Sequence, residues 1–145
     1  TIVVYSADQV VIDYCNSISK KLDLKFKIYS HNINLTQKEM YRLFSKSKVY
    51  IGMSKSDGIS TSLLESMAFG AFPIQSNTSC ANEWILNNKT GYILPPQNIR
   101  LISKKILLAI KNDKKVDLAA KLNWKTIVKR ADSNKIKKII RGIYK

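Results

Sequence analysis

Short apolar strands alternating with amphipathic helices over residues 1–96 predict an α/β fold, a Rossmann-like parallel sheet with helices on both faces. Two further observations support it. The helical periodicities end in recognisable cap signals, and residues 97–145 are almost wholly helical in pattern, which adds a basic helical C-terminal tail. In order, Ile2-Val3-Val4-Tyr5 reads as a buried strand, and Asp8 to Leu22 as a helix with Val11, Ile12, Cys15, Ile18 and Leu22 on its apolar face. Lys25 to Tyr29 alternates charge and bulk as a strand does. Thr36-Gln37-Lys38-Glu39 is a capping box, and the helix it opens turns Met40, Leu43 and Phe44 inward. Val49-Tyr50-Ile51 is a strand that leads into a small-residue turn. A helix follows with Leu63, Leu64, Met67 and Ala68 on one face, and Gly70 supplies the left-handed cap. The strand Phe72-Pro73-Ile74-Gln75, a helical turn near Glu83 to Leu86, and the strand Tyr92-Ile93-Leu94 complete the alternating part.

The turn between the third strand and its helix is the chemically informative segment. Asp57-Gly58-Ile59-Ser60-Thr61-Ser62-Leu63-Leu64-Glu65 sets two carboxylates around a helix start. Free amides and partial positive charge in the first helical turn make Ser60, Thr61 and Ser62 a seat for a diphosphate. Helical side chains lean toward the N-terminus, so Glu65 points at whatever binds there. A carboxylate offers two acceptor oxygens and no donor, which suits a vicinal diol such as a ribose. Spacing alone also permits a plainer reading, with Ser60 as an N-cap, Glu65 as an exposed helix residue and Asp57 as a turn former.

The block Ser54-Lys55-Ser56-Asp57-Gly58-Ile59-Ser60-Thr61-Ser62-Leu63-Leu64-Glu65-Ser66-Met67-Ala68-Phe69-Gly70-Ala71-Phe72-Pro73-Ile74 resembles the signature of the family 4 retaining glycosyltransferases, and the resemblance extends from Thr1 to about Ile110. Downstream, Ser79-Cys80-Ala81-Asn82-Glu83 stands where that family has a glycine-rich turn with a glutamate. Lys89-Thr90-Gly91-Tyr92 stands at its Thr-Gly pair. The leading acid of the signature is usually glutamate and is Asp57 here; Ser79 and Cys80 replace paired glycines.

The resemblance implies the C-terminal, nucleotide-sugar-binding half of a GT-B enzyme, with the N-terminal acceptor domain outside this chain. Residues 1–96 would then be the donor-site core and 97–145 the tail. It implies that Glu65 holds the ribose, Asp57 the donor sugar, and the amides of Gly58, Ile59, Ser60, Thr61 and Ser62 the sugar and diphosphate. The loop Ser30-His31-Asn32-Ile33-Asn34 would touch the base through Asn32 and Ile33. The donor would be a UDP- or GDP-sugar and the acceptor a glycan or glycolipid of a surface polysaccharide or lipopolysaccharide. Neither a metal nor another cofactor is expected. Alternatives are a basic nucleic-acid-binding module, an epimerase or phosphorylase on the same fold, or a noncatalytic relative.

Composition bounds these readings. The formal net charge of +15 is concentrated in residues 100–145, with fifteen Lys or Arg against Asp113, Asp117 and Asp132, whereas residues 56–99 carry Lys89 against Asp57, Glu65 and Glu83. Only Trp124 and Tyr144 are aromatic in that basic stretch, too few for a single-stranded nucleic-acid platform, so no nucleic-acid partner is expected. Ile136, Ile139, Ile140 and Ile143 form an apolar stripe among Lys137, Lys138 and Arg141, read as a surface for the N-terminal domain and, second, as a peripheral contact with an anionic membrane. Cys15 and Cys80 have no metal spacing and fit a reducing, cytoplasmic setting. His31, the one histidine, has no partner pattern for catalysis. The opening at Thr1, directly in a strand, reads as a piece of a longer protein.

Overall fold

In the computed structural model, which describes residues 1–33, 35–78 and 80–143, the chain forms two compact units, Thr1–Gln37 and Lys38–Lys145. The first is a βαβ unit. Strand β1 (Ile2–Ala7) and strand β2 (Phe26–Ser30) pair in parallel, and helix α1 (Gln9–Leu22) supplies the crossover that a parallel pair requires. Asp8 caps α1 by accepting from the Val11 amide at 3.0 Å, and Asp23 ends it in a left-handed conformation. Of the apolar face expected for α1, Cys15 is buried, while Val11 and Leu22 are 39% and 63% exposed. Two strands cover only a narrow stripe of a helix, and the flanks of the stripe stay outside.

The second unit begins with α2 (Gln37–Lys46), of which all but its first residue belongs here, and contains β3 (Val49–Gly52), α3 (Thr61–Ala68), β4 (Phe72–Ser76) and β5 (Tyr92–Leu94). The three strands run parallel in the order β3-β4-β5. Helices α4 (Ile99–Ile110), α5 (Asp113–Ala131) and α6 (Ser133–Ile143) form the predicted tail. Central strand β4 is buried throughout, so its two faces show what covers the sheet. Phe72 and Ile74 join Tyr92, Leu94, Ala109 of α4, and Val116 and Ala119 of α5 in the main core. Burial of Phe72, Ile74 and Leu94 contributes about 1.5–3 kcal/mol each. Pro73 faces the other way, in register with Tyr50, whose ring meets Phe44 of α2 edge-on at 6.1 Å. Helices thus cover both faces, as the alternating pattern predicts.

Gly70 takes the positive φ of 88° that ends α3 and lets the chain re-enter the sheet at Phe72. One expected element is displaced. The helical turn near Glu83 to Leu86 lies at Cys80–Glu83 instead, as a single 3-10 turn. Trp84 and Ile85 are buried, and the Trp84 and Ile85 amides both donate to the Ala81 carbonyl, at 3.0 and 2.8 Å; the turn closes on those anchors before Leu86. Among the described residues no helix is long and apolar enough to cross a membrane.

Candidate functional site

Strand β3 ends at Gly52, and the chain turns through Met53–Ser60 into α3 at the C-terminal edge of the three-stranded parallel sheet. Ligands of open α/β sheets bind at this edge. At Gly52 an added Cβ would meet the end of the Gln75 side chain, from the residue paired with it, which would have to move aside. Beyond the strand ends, Thr78 Oγ1 donates to the Ser54 carbonyl at 2.5 Å and lies 3.0 Å from Ser76 Oγ. The Cys80 amide donates to the Gly58 carbonyl at 3.2 Å. The loop after β3 is therefore held by the loop after β4.

Ser60 caps α3, its Oγ accepting from the Leu63 amide at 3.3 Å and its carbonyl from the Leu64 amide at 3.2 Å. The Thr61 and Ser62 amides have no acceptor among the described residues. Those two N–H groups carry the positive end of the helix dipole. Asp57 is exposed three residues before the cap, and Glu65 is half-buried one turn into the helix. Neither carboxylate has a hydrogen-bond or ion-pair partner among the described residues. At Gly58 an added Cβ would meet nothing within 4 Å, so open space stands over the turn between the two acids.

The structure brings Asp57, Gly58, Ile59, Ser60, Thr61, Ser62 and Glu65 onto one turn and helix of the second unit. Asn32 and Ile33 belong to the first unit, on the turn after β2, where the His31 amide donates to the Ala7 carbonyl at 2.7 Å. Asn34 and Ser79 lie outside the described residues. Glu83, aligned with the downstream glutamate of the family pattern, is engaged by α5: Arg130 donates to its carbonyl and places a guanidinium nitrogen 3.7 Å from its carboxylate. The same guanidinium lies 4.1 Å from the centre of the Trp84 ring. Sequence reasoning missed Arg130, Trp84 and Thr78, none of which carries a motif. No cluster of His, Cys, Asp or Glu among the described residues has the makings of a metal site.

Comparison with known proteins identifies the family and the fold. The profile of the family described as glycosyl transferases group 1 matches residues 16–125. No curated protein sequence matches the chain. Among solved structures, the catalytic domain of cholesterol-alpha-glucosyltransferase from Helicobacter pylori superposes with a TM-score of 0.67 at 16% identity, over 81% of this chain and 72% of that one. A TarM variant from S. aureus, in a complex that includes UDP, superposes at 0.73 and 16% identity, over 94% of this chain and 27% of that one. The C-terminal domain of a glycosyl transferase group 1 family protein, LpcC from Francisella tularensis, superposes at 0.71 and 18% identity, over 85% of this chain and 63% of that one. At these identities the superpositions establish the fold of a GT-B C-terminal domain. The profile match over most of the length establishes more: the chain belongs to the glycosyl transferases group 1 family.

Proposed function

We propose that the chain is the donor-binding domain of a retaining glycosyltransferase that takes a sugar from a UDP- or GDP-sugar and passes it to a glycan or glycolipid acceptor in surface polysaccharide or lipopolysaccharide synthesis. The observation that carries this reading is a pair of carboxylates, Asp57 and Glu65, on either side of two helix-start amides at the C-terminal edge of a parallel sheet, all four without a partner among the described residues. Glu65 accepts from the two ribose hydroxyls. Asp57 accepts from the hydroxyls of the donor sugar. The amides of Thr61 and Ser62, with the open turn at Gly58 and Ile59, take the diphosphate and stabilise the charge that grows on it as the glycosidic bond breaks. With protein donors in that role the transfer needs no bound metal. The UDP in the TarM complex supports a nucleotide as the ligand of a domain with this fold.

In this reading the intact enzyme has two domains, and the acceptor and the remaining catalytic groups lie on the other one. The chain by itself then binds nucleotide weakly and transfers nothing. The exposed isoleucine stripe of α6, with Ile139 63% and Ile143 71% exposed, is a surface for that second domain. Calorimetric titration of the chain with UDP, GDP and their sugar conjugates, repeated on Glu65→Ala, tests the proposal. Saturable binding of one nucleotide that the substitution abolishes is the expected result; binding that the substitution leaves unchanged rejects the role of Glu65.

A further inference from the structure

A second site lies between α5 and the segment that joins the 3-10 turn to β5. Trp84, Leu86, Lys89, Thr90, Leu122, Lys125, Thr126 and Lys129 line a pocket of about 240 Å³, and none of them belongs to the donor turn. Its walls divide by chemistry. Trp84, Leu86 and Leu122 are its apolar lining, Thr90 and Thr126 its neutral polar lining, and Lys89, Lys125 and Lys129 its cations, with no carboxylate among them.

Two local imbalances mark this place. Lys125 and Lys129 are four residues apart on α5, a spacing at which like charges repel. None of the three ammonium groups has an acceptor among the described residues. The nearest acid on the same segment, Glu83, is held by Arg130 and does not neutralise them. The second imbalance is inside the wall: Trp84 Nε1 is a buried donor with no acceptor among the described residues, and Arg130 covers one face of its ring. Unneutralised cations beside apolar side chains in one pocket favour a ligand that is anionic at one end and apolar at the other.

We propose that this pocket binds a phosphomonoester carried on an apolar body, the phosphate among Lys89, Lys125 and Lys129 and the apolar part on Trp84, Leu86 and Leu122. Three ammonium groups match a dianion better than a single carboxylate, and lysines gather a phosphate from several sides without the planar fork that arginine imposes.

The test is an NMR titration of the full chain with phenyl phosphate, read on the Trp84 indole N–H, which Trp124→Phe distinguishes from the other indole. Inorganic phosphate and benzyl alcohol carry the charge and the ring separately. Expected are a saturable shift, binding at least about tenfold tighter than for either half alone, and a loss of about tenfold or more in the Lys125→Gln, Lys129→Gln double variant. Both lysines are exposed, so the variant keeps its fold and its UDP response. No shift of the Trp84 signal at millimolar phenyl phosphate overturns the proposal, and so does a shift that the double substitution leaves intact. Phosphatidylcholine vesicles carrying phosphatidic acid separate the sources. A tighter response to the vesicles assigns the phosphate to a lipid headgroup; a response to phenyl phosphate alone assigns it to a soluble molecule.

Discussion

Asp57 and Glu65 on one side, and Glu83 on the other, are the three carboxylates of residues 56–99, and the structure treats them in opposite ways. Glu83 is folded into the protein: Arg130 reaches it from α5 and stacks over Trp84 in the same move. Asp57 and Glu65 stand beside free amides with no cation or donor spent on them among the described residues. An acid that serves stability acquires a partner, because leaving it unpaired and partly desolvated costs free energy. In the proposed function, the acids left unpaired beside the helix start are the ones that meet the ligand.

That contrast is open to attack from both sides. The largest effect belongs to the structural side: Trp84→Ala removes a buried indole and is expected to lower stability by about 3–5 kcal/mol, measured by urea unfolding. A loss under about 1 kcal/mol would mean that the seam between the 3-10 turn and α5 contributes little. Next, Glu65→Ala should leave the unfolding midpoint in place and weaken nucleotide binding by about 1.5–3 kcal/mol, the range for hydrogen bonds to a charged group. If it lowers stability as much as binding, Glu65 belongs with Glu83 and the contrast fails. Arg130→Ala should cost about 1 kcal/mol, since both members of the ion pair are partly exposed and the stacking on Trp84 carries much of the contribution. Its nucleotide binding should match that of the parent chain in calorimetry. The smallest effect on folding is expected from Gly58→Ala, within about 0.5 kcal/mol, because the added methyl meets no protein atom. Any loss of nucleotide affinity in that variant then reports the approach of ligand to the turn, separate from stability.

Much of this was legible in the chain itself. The strand and helix sequence follows from periodicity, and Ser60 and Gly70 mark the two ends of α3 as N-cap and left-handed glycine. The acid pair was legible because both members sit within one turn and helix, where spacing translates directly into position. The 3-10 turn was misplaced because its location depends on where Trp84 and Ile85 find burial, and local pattern carries no record of that. The exposure of Val11 and Leu22 escaped for a similar reason: a helical stripe states which side faces inward, and the width of the sheet beneath decides how much of the stripe is covered.

By itself the sequence determined the α/β class, the order of elements and the turn that holds Asp57 and Glu65, since each of these depends on residues within a few positions of one another. Tertiary structure alone decided that Glu83 is taken by Arg130, 47 residues away, and that Gln75 lies over Gly52. It also brought Lys89, Lys125 and Lys129 into the lining of one pocket. Those contacts join segments distant along the chain, and they form only when the sheet and α5 are packed, because the free energy that holds them comes from the shared core rather than from any local propensity.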